Sequence, residues 1–198
     1  MSRYQPLETG QIKTYPLASR DNKVNVREHF AANQVAGMSL AGFIDTLPRL
    51  LGAESLRGVI EAVVAARREG RPVVLAMGGH VIKCGLQPVL KQLIEADVIT
   101  AVAMNGSAAI HDFEVSLVGA TSEDVGAVLH AGDFGFAEET GGGMNLALKN
   151  ALPEGWGFGE AIGRHILAKE HEHRDYSLLA TCAEKGIPVT YPPSPNTG

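Results

Sequence analysis

The sequence predicts an α/β fold in which a parallel sheet is flanked by helices. Two short apolar runs, residues 72–77 and 98–104, each end at a turn that contains glycine, and each is followed by a helical pattern. Runs that are rich in valine and bounded by helix breakers are typical of strands buried on both faces. Strand, turn and helix repeated at this spacing form a βαβα unit, whose strands lie parallel with right-handed crossovers.

The length and composition fit one globular domain. The chain has 198 residues, of which 45% are hydrophobic and 20% are charged, values close to those of an average globular protein. No apolar run reaches the roughly 20 residues that span a bilayer, and the first residues contain no apolar segment of a secretory signal. The two cysteines, Cys84 and Cys182, are too few for a disulfide framework. We therefore expect a cytoplasmic protein without membrane contact.

The periodicity divides the chain into an arm, one domain and a tail. Residues 1–24 are polar and aperiodic and are expected to form an extended arm. Residues 25–190 are predicted to form a single α/β domain. Residues 191–198 carry three prolines in four positions, which cannot continue a central strand, so this tail is placed outside the core. Within the domain we predict a third strand at 187–190 and helices in residues 25–51, 54–69, 86–96, 108–119, 144–151, 159–172 and 175–185.

The distribution of charge favours a small cationic ligand over nucleic acid. The net charge is −5, whereas a broad phosphate-binding surface needs a stripe of lysine and arginine. Between Lys91 and Lys149 there are no basic residues except histidine, and nine carboxylates fall in that stretch. Charge of one sign along a cleft attracts ligands of the opposite sign. A small amine ligand is therefore one interpretation of this acidic stretch. Solvated helix faces and helix-start acids explain the same pattern and are the main alternative.

The loops that follow the first two strands form the candidate binding site. In an open parallel sheet, ligands bind beyond the carboxyl ends of the strands. Glycine allows the backbone to approach a ligand there, and the N–H groups of a helix start favour phosphate. The two segments are residues 78–85 and 105–112, and neither contains a G-x-G-x-x-G or Walker A pattern. Tight turns without a ligand are the alternative interpretation.

Two groupings of histidine suggest chemistry more weakly. Ser107, His111 and Asp112 offer a nucleophile, a base and an orienting acid, but no Gly-x-Ser-x-Gly elbow accompanies them. His171-Glu172-His173 is interpreted as an exposed helix end, because histidines two positions apart on a helix point in different directions. No metal site is predicted.

Three further features have local interpretations. Thr121 and Asp124 predict a capping box at the start of another helix. Cys84 is interpreted as a packed thiol, although its neighbour Lys83 and the helix start could lower its pKa. Trp156 is interpreted as an apolar plug or, alternatively, as a stacking surface for a ligand.

Three stretches resemble the deoxyhypusine synthase family, most closely its bacterial deoxyhypusine synthase-like branch. Residues 77–86 are similar to the first nucleotide loop of that family, and residues 103–114 are similar to the second. Residues 176–192, with Ala-Glu-Lys-Gly-Ile-Pro-Val, resemble its helix and strand Ala-x-Lys-Asn-x-Ile-Pro-Val. The bacterial branch matches in His-Val-Ile-Lys-x-Gly-Leu, Ile-His-Asp-Phe-Glu and Thr-Ser-Glu-Asp-Val. The resemblance covers about residues 30–192.

The resemblance implies a Rossmann-like fold of the deoxyhypusine synthase type that binds NAD and assembles as a homo-oligomer, a dimer or a tetramer. The implied reaction uses NAD to oxidise spermidine and passes an aminobutyl group to an amine acceptor such as a protein lysine. Carried over by position, the cofactor-binding residues are Gly78, Gly79, His80, Lys83 and Cys84 in the first loop and Asn105, Gly106, Ser107 and His111 in the second. The carboxylates Asp112 and Glu114 are assigned to the polyamine-like cationic substrate.

The chain departs from the family pattern in two places. Ile110-His111 stands where the family has a pair of glutamates, so a carboxylate that recognises ribose is not expected there. The catalytic lysine of the family lies beyond the Ile-Pro-Val strand, so we expect a C-terminally truncated chain that lacks that region. Neither Lys83 nor Lys185 matches it, and no catalytic residue is assigned. The alternatives are a non-catalytic NAD- or amine-binding oligomeric module and a polyamine synthase on the same scaffold.

Overall fold

The computed structural model describes residues 10, 12–22, 24, 27, 36–124, 126, 135 and 137–191. The chain divides into two compact units, Met1–Glu61 and Ala62–Gly198. Much of the predicted helix over 25–51 and all of the predicted tail except Tyr191 lie outside the described residues.

The first unit contains a turn of 3-10 helix, Leu17–Ser19, and helix α1, Leu40–Thr46. The side chain of Ser39 caps α1 by accepting the N–H of Gly42 at 3.1 Å, as is typical of serine at this position. At the other end of α1, one guanidinium nitrogen of Arg57 donates to the carbonyls of Ile44, Asp45 and Leu47. Arg57 belongs to helix α2, Leu51–Arg68, which runs from the first unit into the second.

The second unit is built on a three-stranded parallel sheet in the order β1, β2, β3. The strands are β1, Val74–Met77, β2, Ala101–Met104, and β3, Val189–Thr190. The predicted α/β class and parallel pairing are confirmed, although each strand is shorter than predicted.

Two finer expectations about the sheet are not met. The described strands follow one another in chain order, so they show no reversal of strand order of the kind that makes the ligand crevice of a doubly wound sheet. A Rossmann-like arrangement is therefore not confirmed. Strand β1, at one edge of the described sheet, is also not buried on both faces. Val74 and Ala76 point to the same face and are exposed, whereas Met77 on the opposite face is buried.

Six helices of the second unit surround this sheet in the part of the chain that the structure describes. They are α3, Gly79–Lys83, α4, Gln87–Glu95, α5, Gly106–Val118, α6, Glu138–Ala151, α7, Phe158–Ala168, and α8, Leu178–Lys185. The sequence did not predict α3, whose five residues are too few to show a helical period. The predicted helix over 159–172 ends earlier, and Glu170 has a φ of 51° in the left-handed region.

Helix α5 occupies the centre of the core. Phe113 is buried, with its ring centroid 5.2 Å from that of His171. Helix α6 begins six residues before the predicted start, and one of its glycines, Gly143, serves the packing of α5. A Cβ at Gly143 would lie 2.7 Å from Cζ of Phe113, so this position requires glycine. In the same way, Gly163 lets α7 approach α8, since a Cβ there would lie 2.3 Å from the carbonyl oxygen of Leu179.

Asp112 connects α5 to the start of α8 and is fully buried. Its carboxylate accepts the hydroxyl of Ser177 at 2.6 Å and the N–H groups of Leu178 and Leu179 at 2.8 and 3.0 Å. Burial raises the pKa of Asp112 to about 6, against the opposing effect of these hydrogen bonds. The predicted contact of Asp112 with a cationic substrate is therefore replaced by an internal role, the capping of α8.

The variant Asp112→Asn tests this buried carboxyl group. Its pKa rises from 3.8 to about 6 on folding. Between these values the folded state binds more protons, so the free energy of unfolding falls as pH rises through the window. We expect the wild type to lose roughly 3 kcal/mol from this group between about pH 4 and pH 7.

Urea unfolding at several pH values measures this loss. Asp112→Asn cannot ionise and is expected to show a flatter profile, whereas the exposed Asp175→Asn keeps the wild-type profile. Equal slopes in the wild type and Asp112→Asn would contradict the assignment.

Candidate functional site

The two predicted loops meet at the end of the sheet where its parallel strands have their carboxyl ends, which we call the carboxyl edge. Gly78 follows β1 and Asn105 follows β2, and a Cβ at Gly78 would lie 3.5 Å from Nδ2 of Asn105. Gly79 is buried, and a Cβ there would lie 2.3 Å from Oγ of Ser107 and 2.8 Å from Cδ2 of His111. The glycine at position 79 is therefore needed for the contact between the loops themselves.

The second loop presents the start of a 13-residue helix, α5, to this edge. Asn105 has the extended backbone of a cap residue, and its Oδ1 accepts the N–H of Ala108 at 3.0 Å. The first N–H groups of a helix have no partner within the helix. Those of Gly106 and Ser107 are thus the groups that this helix offers to an anion.

Two aromatic rings that sequence analysis did not assign to the site lie beside Gly106. Tyr191 places its hydroxyl 2.9 Å from the position of a Cβ on Gly106. Its ring is stacked on that of Phe158, with centroids 4.5 Å apart. Tyr191 had been assigned to the tail, yet it directly follows β3. Because the carboxyl ends of parallel strands meet at one edge, its position after the third strand was the signal that could have placed it here.

Helix α3 contributes positive charge on the first loop. His80 and Lys83 are exposed, and both act on His111, since their charges lower its pKa. Cys84 is exposed at the end of this helix, so its interpretation as a packed thiol is wrong. The packed thiol is Cys182, whose pKa is raised to about 12 by burial and then by the charge of Asp112.

His111 is tied to Glu114 through a hydroxyl group. Its Nδ1 lies 2.7 Å from Oγ1 of Thr121, and the Thr121 hydroxyl donates to Oε2 of Glu114. Thr140 donates to the other oxygen, Oε1, at 3.1 Å. Burial, followed by the charge of Lys83, lowers the pKa of His111 below its ordinary value of 6.5, so the ring is neutral at pH 7.

These contacts correct the expectation for Thr121 and show what surrounds Glu114. Thr121 does not begin a capping box, because residues 121–124 are not helical and its hydroxyl turns to α5 instead. Glu114, predicted to contact the substrate, is held by two threonines and its side chain is 23% exposed.

The structure does not join Ser107, His111 and Asp112 into a hydrogen-bonded triad. Neighbouring residues of a helix point about 100° apart, so Asp112 faces α8 while His111 faces the sheet edge. No hydrogen bond joins Ser107 to His111 among the described residues. The group that orients His111 is Thr121, with Glu114 behind it, and not Asp112.

His171 is buried rather than part of an exposed helix end. Its Nδ1 lies 2.8 Å from Oγ of Ser116, whose hydroxyl donates to the carbonyl of Phe113. His171 therefore donates to Ser116 and belongs to the core around α5. Within the part of the chain that the structure describes, no three ligating side chains converge to hold a metal ion.

Trp156 borders a separate cleft of about 530 Å³ beside α6 and α7. The guanidinium of Arg164 lies 4.5 Å from the centroid of the indole ring, a cation–π contact. Arg164 also pairs with Glu160 at 2.8 Å. One surface of the indole is therefore already stacked by a protein side chain.

Neither the family models nor the curated proteins with which the chain was compared contain a match to it. In the described residues, no helix has both the length and the apolar character required to cross a membrane.

The variant Gly79→Ala tests the contact between the loops. A methyl group would overlap Ser107 and His111, and such overpacking costs about 1–3 kcal/mol. Thermal unfolding should show this loss of stability. The double variant Gly79→Ala with Ser107→Ala should recover part of it, because the nearest atom, Oγ of Ser107, is removed.

Gly85→Ala is not a suitable control, since its φ of 70° already disfavours alanine. Gly142→Ala, with open space around it in α6, serves instead. Strict additivity of the two single changes would contradict the contact.

Proposed function

We propose that this chain is a deoxyhypusine synthase-like protein that binds NAD at the carboxyl edge of its sheet. In this proposal it takes part in the transfer of an aminobutyl group from spermidine to a lysine or another amine. The observation that carries the proposal is the contact of the two loops, at Gly79 and Ser107. These are the loops whose sequences resemble the two nucleotide loops of that family.

The chemistry of the edge fits a ligand with phosphate groups. The first turn of α5 offers the N–H groups of Gly106 and Ser107, and Lys83 adds a positive charge from α3. Main-chain N–H groups at a helix start together with a lysine are a common setting for phosphate. We assign the pyrophosphate of NAD to these groups.

The aromatic pair supports a planar ring in the same ligand. Phe158 and Tyr191 are partly buried and stacked beside Gly106, and aromatic faces bind planar groups by stacking. The side chains of Asn105 and Ser107 are exposed at the same edge and offer hydrogen bonds to ribose. NAD, when bound, would supply the acceptor for the two electrons of amine oxidation.

The amine part of the proposal rests on Glu114 and His111. Glu114 keeps a partly exposed side chain on α5, and the neutral ring of His111 lies 3.7 Å from its carboxylate. Asp112 does not support the binding of an amine, because both of its carboxylate oxygens accept hydrogen bonds from the start of α8 inside the core. The proposal therefore depends on fewer acidic residues than the sequence indicated.

The proposal includes a homo-oligomer in the cytoplasm. Helix α2 carries exposed apolar side chains, among them Leu56, Val59, Ile60 and Val64. Apolar residues that share a helix face and remain exposed are typical of surfaces that pack against another copy. These side chains support assembly into a dimer or a tetramer.

The melting temperature in the presence of NAD tests the cofactor proposal. A ligand that binds the folded state raises this temperature. We expect NAD to stabilise the wild type and Lys169→Ala, whose lysine lies at the end of α7. Lys83→Ala should bind NAD about tenfold more weakly, because a charge-assisted contact is lost.

Formation of NADH with spermidine then separates the alternatives. NAD binding without NADH would favour the non-catalytic module, and release of a free polyamine would favour a polyamine synthase. The absence of any NAD effect on the wild type would overturn the proposed function.

A further inference from the structure

The imidazole of His111 is held by hydrogen bonding on one side only. Nδ1 contacts Thr121, whereas Nε2 has no hydrogen-bond partner among the described residues. The ring edge that carries Cδ2, the atom bonded to Nε2, faces Gly79 at the junction of the two loops. The ring edge that carries Nε2 therefore lies at the junction of the two loops, and the His111 side chain keeps 13% of its surface exposed.

The hydrogen-bond donors and acceptors fix the tautomer of this ring. The single hydroxyl proton of Thr121 is given to Glu114, because an ionised carboxylate can only accept. Oγ1 of Thr121 must then accept from His111, so Nδ1 carries the ring proton and Nε2 carries the lone pair. Thr140 holds the second oxygen of Glu114 and keeps the carboxylate in place.

We infer that His111 receives the ammonium group of the substrate, accepting first its hydrogen bond and then its proton at Nε2. Thr121 and Glu114 are positioning residues in this inference. The choice of a protonated aliphatic amine as the ligand rests on the proposed function.

The transfer involves one proton and no further reagent. The N–H bond of the ammonium breaks, its electron pair stays on the amine nitrogen, and a new N–H bond forms at Nε2 of His111. The Nδ1–H group keeps its hydrogen bond to Oγ1 of Thr121, and the Thr121 hydroxyl keeps its hydrogen bond to Glu114. No second proton therefore moves. The imidazolium then faces a carboxylate oxygen 3.7 Å from Nδ1, and the neutral amine has the lone pair that oxidation or nucleophilic attack requires.

The charged groups around His111 keep its Nε2 unprotonated before the ligand arrives. From α3, Lys83 and His80 oppose protonation of the ring, and from α5, Glu114 favours it. Burial lowers the pKa of His111 further, which keeps Nε2 unprotonated at neutral pH before the ligand arrives. The same positive charge on α3 disfavours the ammonium form of a nearby amine and assists release of its proton.

Nitrogen-15 NMR of the 198-residue chain without ligand tests the tautomer. We expect His111 to carry its proton on Nδ1 in the wild type and in Thr121→Ser. Thr121→Val removes the hydroxyl at nearly constant volume and should move the tautomer ratio toward Nε2–H by about tenfold. A wild-type protein with the proton on Nε2 would overturn the inference.

The pH dependence of spermidine binding tests the acceptor. Calorimetry should show that the Kd of the wild type for spermidine rises as pH falls. One pH unit below the pKa of His111, the Kd should be about tenfold higher than at high pH. His111→Gln should lose this dependence, whereas His173→Gln, a change beside Gly119 at the far end of α5, should retain it.

Two results would contradict the inference and can be told apart. If spermidine binds and His111→Gln shows the same pH dependence as the wild type, His111 is not the acceptor and the proposed function stands. If spermidine does not bind at any pH, both the amine assignment and the proposed function fail.

Discussion

The buried carboxylate of Asp112 is the contact on which the geometry of the second unit depends. It joins the middle of α5 to the first turn of α8 by three hydrogen bonds across more than 60 residues of sequence. A buried charged group without such partners would cost several kcal/mol, so this arrangement fixes both helices. Helix α8 leads into β3, and β3 places Tyr191 beside Gly106. One internal contact therefore orients both sides of the candidate site.

The same constraint explains why two adjacent residues have different roles. Asp112 faces the core, and His111, one position earlier on α5, faces the sheet edge. Since Asp112 fixes the rotation of the helix, it also fixes the direction of the His111 ring. Thr121 and Glu114 then set which ring nitrogen is available. The rigid core and the polar edge are thus two faces of one helix.

The sequence predicted the features that depend on local pattern. The two valine-rich runs and their glycine turns were sufficient for parallel strands whose loops meet, as the contact of Gly79 with Ser107 illustrates. It did not predict the partners of Thr121, or the burial of His171 against Ser116, because these contacts join segments with no shared periodicity. The exposure of β1 was missed because an apolar run does not reveal that its strand lies at an edge.

Hydrogen–deuterium exchange of the 198-residue chain, with and without NAD, tests most directly whether the carboxyl edge is the ligand site. Binding there predicts slower exchange of the main-chain N–H groups in residues 78–84 and 105–111, because these groups face the ligand or pack around it. Residues 164–169, beside the Trp156 cleft, should be unchanged. Slower exchange confined to that cleft, or no change at the two loops at saturating NAD, would contradict the assignment of the site.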